Sequence, residues 1–196
     1  MHPKENLLRA IHRDHPEWVP NGMENVIWIA PPVVERPNAA SHDAFGVHWS
    51  LAPEAEGGTF PSHDGQTIRD IRRWHEQISI PNVEALDWSL VEQQARSVDR
   101  ENCLLQGFVE MGLFERSYLL LGMEEALVAY LIQQQAMLDM LTAIADYKIA
   151  LIRKFHEVAE LDIVWYGDDW GTQSNLFIPP DVWRKVIKPA TRRIYD

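Results

Sequence analysis

Cysteine is nearly absent: Cys103 is the only one in 196 residues, so an internal disulfide cannot form and a cysteine-rich zinc site cannot be assembled from these residues. Basic residues are scarce as well. Lys and Arg total 18 against 29 Asp and Glu, for a formal net charge of −11, and no basic stripe stands out, which argues against a nucleic-acid partner. No uninterrupted apolar run approaches the roughly 20 residues of a membrane-crossing helix, and the N-terminus carries no basic-then-apolar signal pattern. The expectation is a soluble, cytoplasmic protein with no membrane partner. The eight histidines form no His-x-His or His-Glu-x-x-His pair, so no metal ligand set is expected within the chain. Neither Gly-x-Gly-x-x-Gly nor Gly-x-x-x-x-Gly-Lys-Ser/Thr occurs, which removes the phosphate loops of nucleotide-binding folds.

A composition of 46% hydrophobic and 24% charged residues is enough to bury a core, and the length suits one domain or a substantial piece of one. Leu7, Leu8 and Ile11 share a helical face over Pro3 to His12, a lead-in helix that Pro16 and Pro20 stop; residues 1–20 form this helix and its loop. Met23 to Ala30 reads as a first strand. Pro31 to Gly65, rich in Pro, Gly, Ala, Ser and His, reads as a long irregular excursion. Gln66 to Glu76 predicts a polar helix, and Pro81 to Arg96 another. Cys103 to Val109 is a second, buried strand. Two helices follow: Leu113 to Gln133, broken at Gly122, and a longer one whose stripe of Met137, Leu138, Leu141, Ile144, Ala145, Ile149, Ile152 and Phe155 marks a buried face.

The most informative stretch is Leu161-Asp-Ile-Val-Trp-Tyr-Gly-Asp-Asp-Trp-Gly-Thr-Gln173. A short run of branched and aromatic residues predicts a strand buried on both faces, which then delivers two adjacent carboxylates into a loop. Gly167 ends the run and Gly171 lets the backbone turn, so Asp168, Asp169, Trp170, Thr172 and Gln173 place acceptors, donors and an aromatic face together. Ligands of parallel α/β sheets gather at the carboxyl ends of strands. The competing reading is that the two aspartates only cap the next helix or pair with a nearby arginine. A final helix begins near Pro179-Pro180-Asp181, and Pro189 is expected to kink or end it.

Strands that alternate with helices, and that are nearly continuous in apolar character, predict an α/β fold with a parallel sheet covered by helices. Without a phosphate loop, a (β/α)8 TIM barrel is the better architecture. A closed barrel takes about 250 residues, and only three or four strands are legible. The expectation is therefore one partial barrel over residues 1–196, lacking its C-terminal strands.

Four motifs carry a family resemblance: Pro3-Lys-Glu-Asn-Leu-Leu-Arg-Ala-Ile-His-Arg-Asp-His-Pro-Glu-Trp-Val-Pro20, Asp43-Ala-Phe-Gly-Val-His-Trp49, Gly112-Leu-Phe-Glu-Arg-Ser-Tyr118, and Gly167-Asp-Asp-Trp-Gly-Thr-Gln173 with Pro180 to Pro189. In this order they resemble the N-terminal portion of the uroporphyrinogen decarboxylase superfamily. The resemblance implies a TIM barrel and one of two activities: decarboxylation in porphyrin and heme biosynthesis, or methyl transfer to or from a corrinoid protein. The decarboxylase branch clamps substrate carboxylates with arginines after its first strand, whereas Asn21 to Pro32 holds none. That branch also places an aspartate shortly before the glycine matching Gly46, and between Asn25 and His42 the only acid is Glu35.

The Asp-Asp-Trp-Gly-Thr-Gln form is similar to the corrinoid-associated methyltransferase and demethylase branch. There the resemblance implies zinc held by a His-x-Cys motif and a distant Cys, all beyond Asp196, together with a cobalamin-type corrinoid partner and a small methyl donor or acceptor. No cofactor is expected within this chain. Asp168 and Asp169 are the expected catalytic residues; Trp170, Gln173, Glu110 and His48 are the expected substrate contacts. Glu110 has an equal claim as a helix N-terminal carboxylate. Glu115 and Arg116 are expected to pair with each other, and Tyr118 to lie in the core. The alternatives are porphyrinogen decarboxylation and, in another class, a catalytically inactive fragment or assembly module, since unpaired outer strands invite a homo-oligomer or a second half-barrel.

Overall fold

The computed structural model describes residues 1–21, 24–51 and 58–196. It is a mixed α/β chain in two compact units: residues 1–32, 86–109 and 152–166 form the first, and residues 33–85, 110–151 and 167–196 the second.

The first unit is built on a three-stranded parallel sheet of β1 (Val26–Ile29), β5 (Leu104–Val109) and β6 (Ile163–Tyr166), in the order β1-β5-β6. Of the expected first strand, Met23 lies outside the described residues. The registers Val26↔Leu104, Gln106↔Ile163 and Phe108↔Trp165, with side chains alternating along each strand, put Val26, Trp28, Leu104, Gln106, Phe108, Ile163 and Trp165 on one face. The foot of that face is closed by α1 (Pro3–His12), whose Leu7 packs on Val26 and Leu104, with Leu8 and Ile163 beside them. Farther along, Phe108 stacks on Trp165 with ring centroids 4.5 Å apart and lies tilted against Trp28 at 5.3 Å.

On the other face Gly107 admits close packing, because a Cβ there would lie 2.5 Å from Leu161 Cδ1 and 2.9 Å from Phe155 Cε1. Trp88, just before α2 (Ser89–Ser97), packs on Phe155. Asp162 ties β6 to the centre of the sheet: its Oδ2 accepts from the Leu105 amide at 2.7 Å and from Arg100 at 2.9 Å.

Only β5 is enclosed as the sequence predicts. Val164 and Trp165 are 38% and 40% exposed, so the strand expected to be buried on both faces is an outer strand with its middle open. The apolar run alone does not reveal this, because it does not specify which strand is flanked. Three parallel strands in succession are present; a closed barrel is not among the described elements.

The second unit begins with an antiparallel sheet, β2 (Ser41–His42), β3 (His48–Leu51) and β4 (Thr59–Pro61), where the sequence suggests only an irregular excursion. Gly46 supplies a φ of +86° at the β2–β3 turn, a conformation that penalises a Cβ. The polar helix expected from Gln66 shrinks to a 3-10 segment, Ile71–Glu76, and the segment from Pro81 resolves into a 3-10 turn, Val83–Ala85, followed by α2.

Helices α3 (Leu113–Leu121) and α4 (Met123–Ile132) break at Gly122 with φ +90°, as its position suggests. The long α5 (Gln134–Ala159) buries Met137, Met140, Leu141, Ile144 and Ala145 completely. The last segment is α6 (Pro180–Val182), a π turn (Trp183–Ile187) and α7 (Lys188–Tyr195). Pro189 does not end the segment, but regular α geometry is interrupted just before it by the π turn, where the Lys188 amide reaches the Trp183 carbonyl, and resumes with proline in its first turn, an irregularity in keeping with the kink expected there. Among the described residues no single helix is long and apolar enough to cross a membrane.

Candidate functional site

Helix α3 starts at Gly112, which has no side chain with which to cap it. Asp168, 54 and 53 residues away, does so instead: Oδ2 accepts from the Phe114 amide and Oδ1 from the Glu115 amide, both at 3.0 Å. Trp170 Nε1 donates to the same carboxylate at 2.6 Å. Gly112 is required by this approach, since a Cβ there would lie 2.1 Å from the Asp168 Cβ. Trp170 is itself fixed edge-on to Trp183 at 4.9 Å. Asp168 therefore caps a helix, though an earlier one in the chain and not the next one that the competing reading named.

Capping brings carboxylates together. Glu115 is half-buried one turn into α3, and its Oε2 accepts from the Gly112 amide at 3.3 Å. Burial, then the charge of Asp168, then Asp169 and Glu110 push the Glu115 carboxyl up to about 7, against the pull of the Gly112 amide. Burial also raises Asp168, while the Phe114 and Glu115 amides and Trp170 hold it back. Tyr118, half-buried one turn beyond Glu115 and not in the core as expected, is pushed up to about 12 by burial and then by Glu115. Glu115 is thus a group that changes charge near neutral pH. The sequence concealed it, because the adjacent Arg116 suggested an ion pair.

That pair does not form. Arg116 is fully buried and donates to Asp43 Oδ2 at 2.6 Å and Glu35 Oε2 at 3.0 Å, with its guanidinium 4.4 Å from the centre of the Phe45 ring. Lys148, also fully buried, donates to both Glu35 oxygens and to the Glu110 carbonyl, each at 2.7 Å, and the Tyr147 hydroxyl donates to Glu35 at 3.0 Å. Burial opposes the Glu35 charge, but Lys148 and then Arg116 carry its pKa below the usual carboxylate value. Burial lowers Lys148. Asp43 also shapes the β2–β3 turn, accepting from the Phe45 and Val47 amides at 2.9 and 3.0 Å. One signal of this cluster was available: Lys148 falls in the apolar stripe of α5, between Ile144 and Phe155.

The remaining expected site residues are only partly brought together. Asp169 and Gln173 are exposed on the loop after β6, where residues 168–176 line a shallow cleft of about 480 Å³. Glu110 contributes its carbonyl to Lys148 and its charge to Glu115. His48 lies on β3, where its Nδ1 is 2.6 Å from Ser62 Oγ. The structure therefore brings Asp168, Asp169, Trp170, Glu110 and Glu115 into one neighbourhood, and gives His48 partners of its own.

The zinc set of a His-x-Cys motif and a distant Cys, which the family resemblance implies, is not supplied by these residues. Among the described residues no group of three or more His, Cys, Asp or Glu is placed to hold a metal ion, and Cys103 stands alone. Comparison of the chain with family models, curated proteins and solved structures gives no match.

Proposed function

We propose that the chain is the N-terminal part of a (β/α)8 barrel of the uroporphyrinogen decarboxylase superfamily, of the corrinoid-associated methyltransferase or demethylase type. In this reading the residues here supply proton handling and substrate contacts, and a metal would be held by residues outside this set. Glu115 is the group suited to take or give a proton near neutral pH, with the exposed Asp169 and Gln173 presented to a small methyl donor or acceptor. Asp168 is a positioning residue that sets α3 and thereby Glu115.

One observation carries the reading. A carboxylate on the loop after the third parallel strand caps the helix that follows the second, so two successive strand-to-helix loops meet, and in such a barrel the sites form on those loops. The arginine-free segment after residue 20 favours the methyltransferase type over the decarboxylase. A corrinoid protein is the partner implied, and a complementary half-barrel or second copy is the natural neighbour of open outer strands.

Equilibrium dialysis of the full chain against hydroxocobalamin and, separately, against uroporphyrin tests this. Saturable retention of the corrinoid alone is expected. Retention of the porphyrin alone would move the assignment to decarboxylation, and retention of neither would favour an assembly module.

A further inference from the structure

We infer that the antiparallel sheet of the second unit carries a two-histidine site for a borderline divalent transition metal such as Zn²⁺, independent of the barrel reading. His42 on β2 and His48 on β3 are direct cross-strand partners. Their side chains therefore leave the sheet on the same face, and their ring centroids are 5.0 Å apart at an interplanar angle of 55°. With metal–nitrogen bonds of about 2.0–2.1 Å, each imidazole centre stands about 3.2 Å from a bound ion, so two rings at a tetrahedral angle have centres about 5.2 Å apart. The observed separation already matches that figure without movement of the strands.

The second imidazole nitrogen of a metal-ligating histidine is characteristically held by a neighbour that fixes the tautomer and the ring orientation. His48 has such a neighbour: its Nδ1 lies 2.6 Å from Ser62 Oγ, which in turn bonds the Ser50 hydroxyl. Because Ser62 can pass its own proton to Ser50, it can accept from Nδ1–H, which leaves the Nε2 lone pair for an ion. The Ser62 amide donates to the His48 carbonyl at 2.9 Å, so hydroxyl and imidazole are held in register by backbone as well as by side chain. His42 is exposed and His48 half-buried, which gives the ion an open approach from solvent. Imidazole suits Zn²⁺, Ni²⁺ and Cu²⁺ over Mg²⁺ or Ca²⁺. With two protein ligands the remaining positions belong to water or to an exogenous donor, so the ion both clips β2 to β3 and keeps coordination sites open.

The test is titration of the untagged full chain with ZnCl₂ by isothermal calorimetry at pH 7.5, for the natural sequence and for His42→Ala, His48→Ala and Ser62→Ala. One site is expected. It should weaken at least tenfold in either histidine variant and by a smaller factor in Ser62→Ala. Histidine side-chain NMR of the natural chain serves as a readout that does not depend on how the variants fold, with the His42 and His48 resonances shifting at one equivalent of zinc. Unchanged zinc affinity in a folded histidine variant, no binding by the natural chain, or shifts confined to other histidines would overturn the inference.

Discussion

Replacing Glu115 with Gln should stabilise the protein at neutral and alkaline pH and leave it unchanged in acid. The carboxyl titrates near 4.5 in an unfolded chain and at about 7 in the folded one. Between those values the unfolded chain releases a proton that the folded chain keeps. Stability therefore falls as pH rises through this window, and the loss is complete above pH 7. A difference from 4.5 to about 7 corresponds to about 3 kcal/mol at about 1.36 kcal/mol for each pH unit. Because the side chain is half-exposed, solvent screening reduces this to about 1–2 kcal/mol. Glutamine behaves as a permanently protonated Glu115, and its carbonyl can still accept from the Gly112 amide. Urea denaturation of both proteins from pH 4 to 8 should give a difference near zero at pH 4 that grows to about 1–2 kcal/mol in favour of Glu115→Gln by pH 8. A difference that is constant with pH, or that favours glutamate at pH 8, would refute the argument that Glu115 is destabilised by burial and by its acidic neighbours.

Other substitutions probe the supports of the site. Asp168→Ala removes the cap from the Phe114 and Glu115 amides and the acceptor from Trp170, and should cost about 1–2 kcal/mol in urea melts. Asp168→Asn keeps an acceptor and should cost less, whereas the exposed Asp169→Asn should stay within about 0.5 kcal/mol of the natural protein. Arg116→Leu leaves the Glu35 and Asp43 charges without their shared partner and should cost about 3–5 kcal/mol, a loss that chemical denaturation reads directly; a cost under 1 kcal/mol would show that the cluster is not maintained in solution. Gly107→Ala drives a methyl into Leu161 and Phe155 and should lower stability by about 1–3 kcal/mol, seen as a reduced thermal midpoint.

Local patterns made much of the fold legible. The stripe on α5, the glycine break between α3 and α4, the lead-in helix with proline at its start and the apolar run of β5 are each decided by residues within a few positions, and each lies close to where the sequence places it. What was hidden depends on distant partners. The strands β2 and β4 are only two and three residues long, and they exist because β3 pairs with both, which no local periodicity announces. Ile163–Tyr166 reads as an enclosed strand, yet it is an outer one, since apolar character does not reveal how many neighbours a strand has.

The site divides in the same way. Asp168 and Asp169 were legible as a strand-end doublet, but the capping role of Asp168 needs the Phe114 amide brought from 54 residues away. Arg116 beside Glu115 suggests a local pair, whereas its partners Asp43 and Glu35 arrive from 73 and 81 residues away. Glu115 was left with no cation and three acidic neighbours, and its proton affinity follows from that arrangement rather than from residue type.

Carbon-13 NMR of the Glu115 carboxyl across a pH titration tests most directly whether this neighbourhood can handle a proton at neutral pH. The expected midpoint is about 7 in the natural chain, moving downward in a folded Asp168→Asn variant as a neighbouring charge is removed. A midpoint near 4.5 in the natural chain, or one indifferent to Asp168, would contradict the account.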